Sequence, residues 1–236
     1  MQLPEAIIFD LDDTIIDDSG AVAASWDEVC REAATRINGL DPAALLAAIE
    51  RERDWFWSDP GRSRQGRLVL RAASTRIVDQ ALNSLGHNLP GAGAEIANRY
   101  RDLREERICL FPGAIETIEW FRSRSIRLGM ATNGNAAGQR AKIERFGLAP
   151  YFERIIVEGE FGLGKPHREV YETLFASLNA DPAEMWSVGD NLEWDVGVPQ
   201  SLGVFGIWVD ATAEGLPAGT TVQPDWTISS IRELMQ

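Results

Sequence analysis

The chain has 236 residues, with 23 Lys+Arg against 36 Asp+Glu and a formal net charge of −13. That length suits one large domain, or a core domain carrying an insertion, with enough core to fold without disulfide or metal staples. The acidic balance excludes a general binder of nucleic acid or anionic membrane, since both partners are themselves negative. No apolar run approaches the roughly 18 residues that span a bilayer. The opening Met1-Gln2-Leu3-Pro4-Glu5 lacks the basic and apolar regions of a signal peptide. Cys30 and Cys109 have neither metal spacing nor a paired pattern, so a reduced, cytoplasmic protein is expected.

In chain order, Ala6-Ile7-Ile8-Phe9 is a short apolar run ending in Asp10 and predicts a buried strand. Ser19 or Gly20 opens a helix reaching about Asn38-Gly39. Asp41-Pro42 then supplies an N-cap and a first-turn proline for a helix running to about Trp57. Ser58 to Gly66 reads as a loop on its Gly and Pro content, and helices follow at about 67–85 and 92–106. From Phe111-Pro112-Gly113 the rhythm changes. Helices at 113–124, 136–146, 167–178 and 192–201 alternate with strands at 127–131, 154–157, 185–188 and 204–209, and a last strand falls at 226–228.

That alternation predicts an α/β fold, a doubly wound parallel sheet covered on both faces. The first strand is cut off from the others by the helical stretch, so the stretch is an all-helical insertion. Residues 1–16 and 109–236 are expected to form the core, and 17–108 the inserted domain. Charge divides along similar lines. Residues 16–107 hold 13 Arg, no Lys and 15 acids, net −2, which leaves 10 basic and 21 acidic residues, net −11, elsewhere.

Open parallel sheets bind ligands beyond the carboxyl ends of their strands. Those positions hold Asp10-Leu11-Asp12-Asp13-Thr14, Thr132-Asn133-Gly134, Gly164-Lys165-Pro166 and Gly189-Asp190-Asn191. Asp10, Asp12 and Asp190 converging on one cleft would repel one another without a cation between them. Hard oxygen donors, few in number, suit Mg²⁺. Thr132, with the backbone N–H groups around Asn133 and Gly134, can bind a phosphoryl oxygen, and Lys165 brings a fixed positive charge. Together these parts match metal-assisted phosphoryl transfer.

The ordered set Asp10-x-Asp12-x-Thr14, Thr132-Asn-Gly, Lys165-Pro and Gly189-Asp190-x4-Asp195 resembles the haloacid dehalogenase superfamily over nearly the whole chain. The resemblance implies a Rossmann-like core with a helical cap at about 17–108. It implies Asp10 as the nucleophile of an aspartyl-phosphate and Asp12 as general acid, then base. Mg²⁺ would be held by the Asp10 carboxylate, the Asp12 main-chain carbonyl and Asp190, with Asp195 orienting metal waters or Lys165. The dehalogenases that name the family carry no acid at the Asp12 position, so a phosphatase acting on a small phosphorylated metabolite is expected. A phosphomutase, or a binding module without turnover, is the alternative.

Gly159-x4-Gly164-Lys165 imitates a phosphate-binding loop, but Pro166 stands where a Ser or Thr must hold Mg²⁺. In the insertion, Arg62, Arg64, Arg67, Arg71 and Arg76 follow Trp55-Phe56-Trp57 with no acid between Pro60 and Val78. Arg67 and Arg71, four apart, are expected on one helix face, with Arg67 a candidate substrate contact. The competing reading is a solvated helix face.

Overall fold

In the computed structural model, which describes residues 2–235, the chain divides into two compact units. The boundaries fall between Asp17 and Asp18 and between Ile108 and Cys109.

The helical unit comprises α1 (Ser19–Arg36), α2 (Pro42–Trp57), α3 (Pro60–Leu68), α4 (Leu70–Ser84) and α5 (Ala92–Arg107). Asp41 caps α2 by accepting the Ala43 N–H at 3.1 Å. The helix α3 lies where a loop was predicted. Asp59 and Pro60 start it as Asp41 and Pro42 start α2, with the Asp59 carboxylate accepting the Arg62 N–H at 2.7 Å. Gly66, a loop signal in sequence, is there for packing. A Cβ at this position would come within 2.5 Å of the Phe56 ring and 2.9 Å of Trp57. At Val69 (φ −130°, ψ 52°) the chain leaves the helical region before α4 begins. Arg67 and Arg71 therefore belong to different helices and share no helical face, contrary to expectation. Arg67 donates to Ser63 Oγ at 2.9 Å, and Arg71 to Asn98 Oδ1 at 2.7 Å.

The core of this unit is apolar. Leu45, Ile49, Ile77, Val78 and Leu82 fill it, and Trp26 stacks on Tyr100 with ring centroids 3.6 Å apart. Ion pairs of Arg99 with Glu32, Arg104 with Asp18 and Arg107 with Glu28 join α5 to α1 and the residue before it.

The α/β unit contains β1 (Ala6–Phe9), β2 (Ile16–Asp17), β3 (Cys109–Leu110), β4 (Arg127–Thr132), β5 (Arg154–Val157), β6 (Met185–Gly189), β7 (Phe205–Val209) and β8 (Trp226–Ile228). Its helices are α6 (Ala114–Arg122), α7 (Ala136–Arg145), α8 (Glu158–Phe161), α9 (Arg168–Leu178) and α10 (Val198–Ser201). Among the described residues, six strands form one parallel sheet in the order β5-β4-β1-β6-β7-β8. All four residues of β1 are buried, which requires cover on both faces. Ala6 and Ile8 pack with Tyr171 and Leu174 of α9, while Phe9 meets Phe152 edge-on.

The short helix α8 was not predicted, and two further features of this unit depart from expectation. β2 and β3 form a short antiparallel ribbon, pairing Ile16 with Leu110 and Asp17 with Cys109. The helix expected at 192–201 opens as a wide π-helical turn, Leu192–Gly197, before α10. No helix among the described residues is long and apolar enough to cross a membrane.

Candidate active site

Strand order reverses around β1, with β4 on one side and β6 on the other. This is where an open parallel sheet leaves a crevice at its carboxyl end. Register brings the strand ends level, because Phe9 pairs with both Met130 and Val188. Asp10, Thr132 and Asp190 thereby emerge at one edge of the sheet.

Asp10 is 8% exposed, Lys165 5% and Asp195 3%. The Lys165 ammonium donates to Asp10 Oδ1 at 2.6 Å and to Asp195 Oδ1 at 2.5 Å. Burial would lower this lysine, but Asp10 and Asp195 outweigh it and hold the ammonium charged. Burial pushes Asp10 well above the usual carboxylate range; Lys165 opposes the rise, while Asp195 and Asp190 add to it. Asp190, partly exposed, is pushed up to about 7 by burial and by Asp195, with Lys165 opposing. Oxygens of Asp10, Asp190 and Asp195 all lie within 4.8 Å of one another and could hold a metal ion. One ammonium against three carboxylates leaves negative charge uncompensated in a desolvated pocket, which is the condition a bound cation relieves.

Each of these groups is held from behind. A Cβ on Gly189 would sit 2.3 Å from the Asp195 carboxyl carbon, so only glycine lets that side chain approach the end of β6. Asn191 N–H donates to Asp195 Oδ2 at 3.1 Å, and Ser187 Oγ to the Asp195 carbonyl at 2.6 Å. The Tyr171 hydroxyl bonds the Trp194 carbonyl inside the π-helical turn. Trp208 Nε1 donates to the Asp190 carbonyl at 2.7 Å.

In the Thr132-Asn133-Gly134 loop, Gly134 departs from its predicted use. The Asn133 side chain makes reciprocal 2.7 Å bonds with the backbone N–H and C=O of Lys165, so it fixes the lysine's loop to the end of β4. Gly134 has no backbone donor left for a ligand, because its N–H goes to the buried carboxylate of Glu158 at 3.0 Å. Its carbonyl accepts from Gly159. Thr132 retains a hydroxyl at the sheet edge.

Asp12 stands apart from the three clustered carboxylates. Its side chain turns to α7, where Lys142 Nζ donates to Oδ1 at 2.7 Å and Gln139 Nε2 to Oδ2 at 2.9 Å. Gln139 also donates to Thr132 Oγ1 at 2.5 Å. Neither residue was picked out from sequence. The available signal was that Lys142 and Lys165 are the only two lysines in the chain. Within the helical unit, Arg62 and Arg76 lie over the Trp55 ring, 4.1 and 5.5 Å from its centroid.

The family model of haloacid dehalogenase-like hydrolases matches residues 4–203. The chain belongs to this family and is a hydrolase. It is 28% identical to the phosphoserine phosphatase of Thermus thermophilus, across 97% of this chain and 96% of that one. It is 24% identical to a glyceraldehyde 3-phosphate phosphatase of Methanocaldococcus jannaschii, across 98% and 95% respectively. A solved structure of the magnesium-bound hydrolase YfnB of Bacillus subtilis shares the fold, with a TM-score of 0.74 at 22% identity over 99% of this chain and 97% of that one.

Proposed function

We propose that this protein is a Mg²⁺-dependent phosphatase that cleaves a small phosphate monoester through an aspartyl-phosphate on Asp10. The observation that carries the reading is a division of labour between two carboxyls on one loop. Asp10 is buried against Lys165, and Asp12, two residues on, is held apart from the acidic cluster by α7. One serves as nucleophile, the other as acid and base. Relatives named as phosphatases, aligned over nearly their full length, support it.

Asp10 attacks phosphorus through a carboxylate oxygen, and the bond from phosphorus to the leaving oxygen breaks. That oxygen takes the proton from Asp12. Asp12 then removes a proton from water as the water oxygen attacks phosphorus. The bond from phosphorus to Asp10 breaks, freeing inorganic phosphate and returning both carboxyls to their starting states. Lys165 orients Asp10 and lends positive charge to the phosphoryl oxygens. Because Thr132 Oγ1 accepts from Gln139, its own proton is free to be donated to a phosphoryl oxygen. Asp10, Asp190 and the Asp12 main-chain carbonyl would hold Mg²⁺, with Asp195 behind them. The donor set is all hard oxygen, as this ion requires. When bound, the ion neutralises charge developing on the phosphoryl group.

The test is hydrolysis of p-nitrophenyl phosphate with Mg²⁺ by the wild type and by Asp10→Asn. Turnover should fall by about 100-fold or more in the variant. Equal rates would end the aspartyl-phosphate proposal.

A further inference from the structure

α7 does more than cover the sheet. Gln139 and Lys142 lie three residues apart, hence on one face of that helix. Together they occupy both oxygens of Asp12, and Gln139 reaches Thr132 as well. Gln139 is 4% exposed. A carboxylate can only accept, so the side of Gln139 facing Asp12 must be its NH₂ group. The two protons of that group are then spent, one on Asp12 and one on Thr132. The Thr132 oxygen, already accepting, has its hydroxyl proton directed elsewhere.

Stability alone does not account for this arrangement. Asp12 and Lys142 are both partly exposed, at 27% and 17% of the side chain, and water could solvate either. Water that still reaches an ion pair so placed weakens its contribution, and the pair costs the rotamer freedom of a long lysine. What it does achieve is a single orientation for a carboxyl that a solvated loop would leave free to turn.

Resting on the phosphatase reading above, we propose that Gln139 and Lys142 are positioning residues that fix the Asp12 carboxyl and the donating direction of the Thr132 hydroxyl. A misplaced acid matters most when the leaving oxygen is a poor leaving group. A merely structural role would slow every substrate alike. Lys142→Met keeps side-chain length and removes the charge, and Lys142→Arg restores it.

The experiment compares kcat and KM for p-nitrophenyl phosphate and for phenyl phosphate, whose leaving group is the more basic. Lys142→Met should lower kcat for phenyl phosphate about tenfold more than for p-nitrophenyl phosphate, with KM within about twofold, a fraction of the range general acid catalysis commands. Lys142→Arg should recover most of that loss. In an Asp12→Asn background, Lys142→Met should add nothing further. Gln139→Leu should show the same leaving-group bias and also weaken inhibition by inorganic phosphate, through Thr132. Equal losses for both substrates, or an additive double variant, would overturn the role assigned to Lys142. Unchanged phosphate inhibition in Gln139→Leu would overturn the assignment at Thr132. An Asp10→Asn protein that retains turnover would instead defeat the underlying phosphatase reading, whatever the Lys142 variants do.

Discussion

The two units place their charges differently. In the helical unit the core cluster is apolar, and the Arg99–Glu32 and Arg107–Glu28 pairs lie where water still reaches them. One buried carboxylate there, Asp18, is matched by an arginine, Arg104. In the α/β unit a lysine and two aspartates are sealed together at the sheet edge, with Glu158 buried nearby. Buried ion pairs are weak contributors to stability, because desolvation offsets their attraction. The contrast teaches that one unit is organised to persist and the other to hold charge where the solvent would otherwise quench it. Lysine usage repeats the point. Both lysines lie in the α/β unit, and each bonds an aspartate of the Asp10–Asp12 loop.

Substitution of Lys165 tests this contrast most severely. Lys165→Met should cut phosphatase turnover by about 10²–10³-fold, the range for loss of one preorganised electrostatic donor. It should also leave Asp10 and Asp195 facing each other without their common cation. A variant with near-wild-type kcat would show that the buried charge is structural after all. The helical unit gives the next largest effect, on stability. Trp26→Ala removes one ring of the Trp26–Tyr100 stack and should cost about 3–5 kcal/mol in a denaturant titration. A loss under about 1 kcal/mol would mean that its core is not tightly packed. The smallest effect concerns the thiols, one in each unit. Burial, aided by Glu50, pushes the Cys30 thiol up to about 12, so at pH 8 it stays protonated and lacks the nucleophilic thiolate. Cys109 is exposed. A thiol reagent at pH 8 should therefore titrate one cysteine in the native protein and both after denaturation. Two fast-reacting native thiols would contradict the closed helical core.

The motifs were legible because the chemistry follows directly on the strands. Ala6-Ile7-Ile8-Phe9 has one plausible fate, and the residue after it has to be at the sheet edge. The same logic located Thr132 and Asp190. Residues that act through tertiary register were not legible. Gln139 and Lys142 look like any polar face of a helix until α7 is docked beside the loop after β1. Glu158, which takes the Gly134 N–H, was hidden for the same reason. At α3 the failure was one of weighting. Asp59-Pro60 carries the start signal read correctly at Asp41-Pro42, but Gly61 and Gly66 outvoted it. Gly66 is small because two aromatic rings of α2 need the space, a constraint no local window contains.

The ribbon of β2 and β3 has a consequence for how the chain can be rearranged. Seen from the sheet, everything from Asp18 to Ile108 is one excursion that departs and returns through adjacent two-residue strands. A floppy excursion would impose a closure entropy that grows, slowly, with its length. Here the excursion is itself folded, and the Asp18–Arg104 pair ties its first residue to its last helix. Its two ends are therefore held near each other by contacts within the excursion itself. The sheet requires of the intervening chain only that its ends be neighbours. A different folded block, or a tight turn, could be spliced at the same two points without shifting the register of any strand.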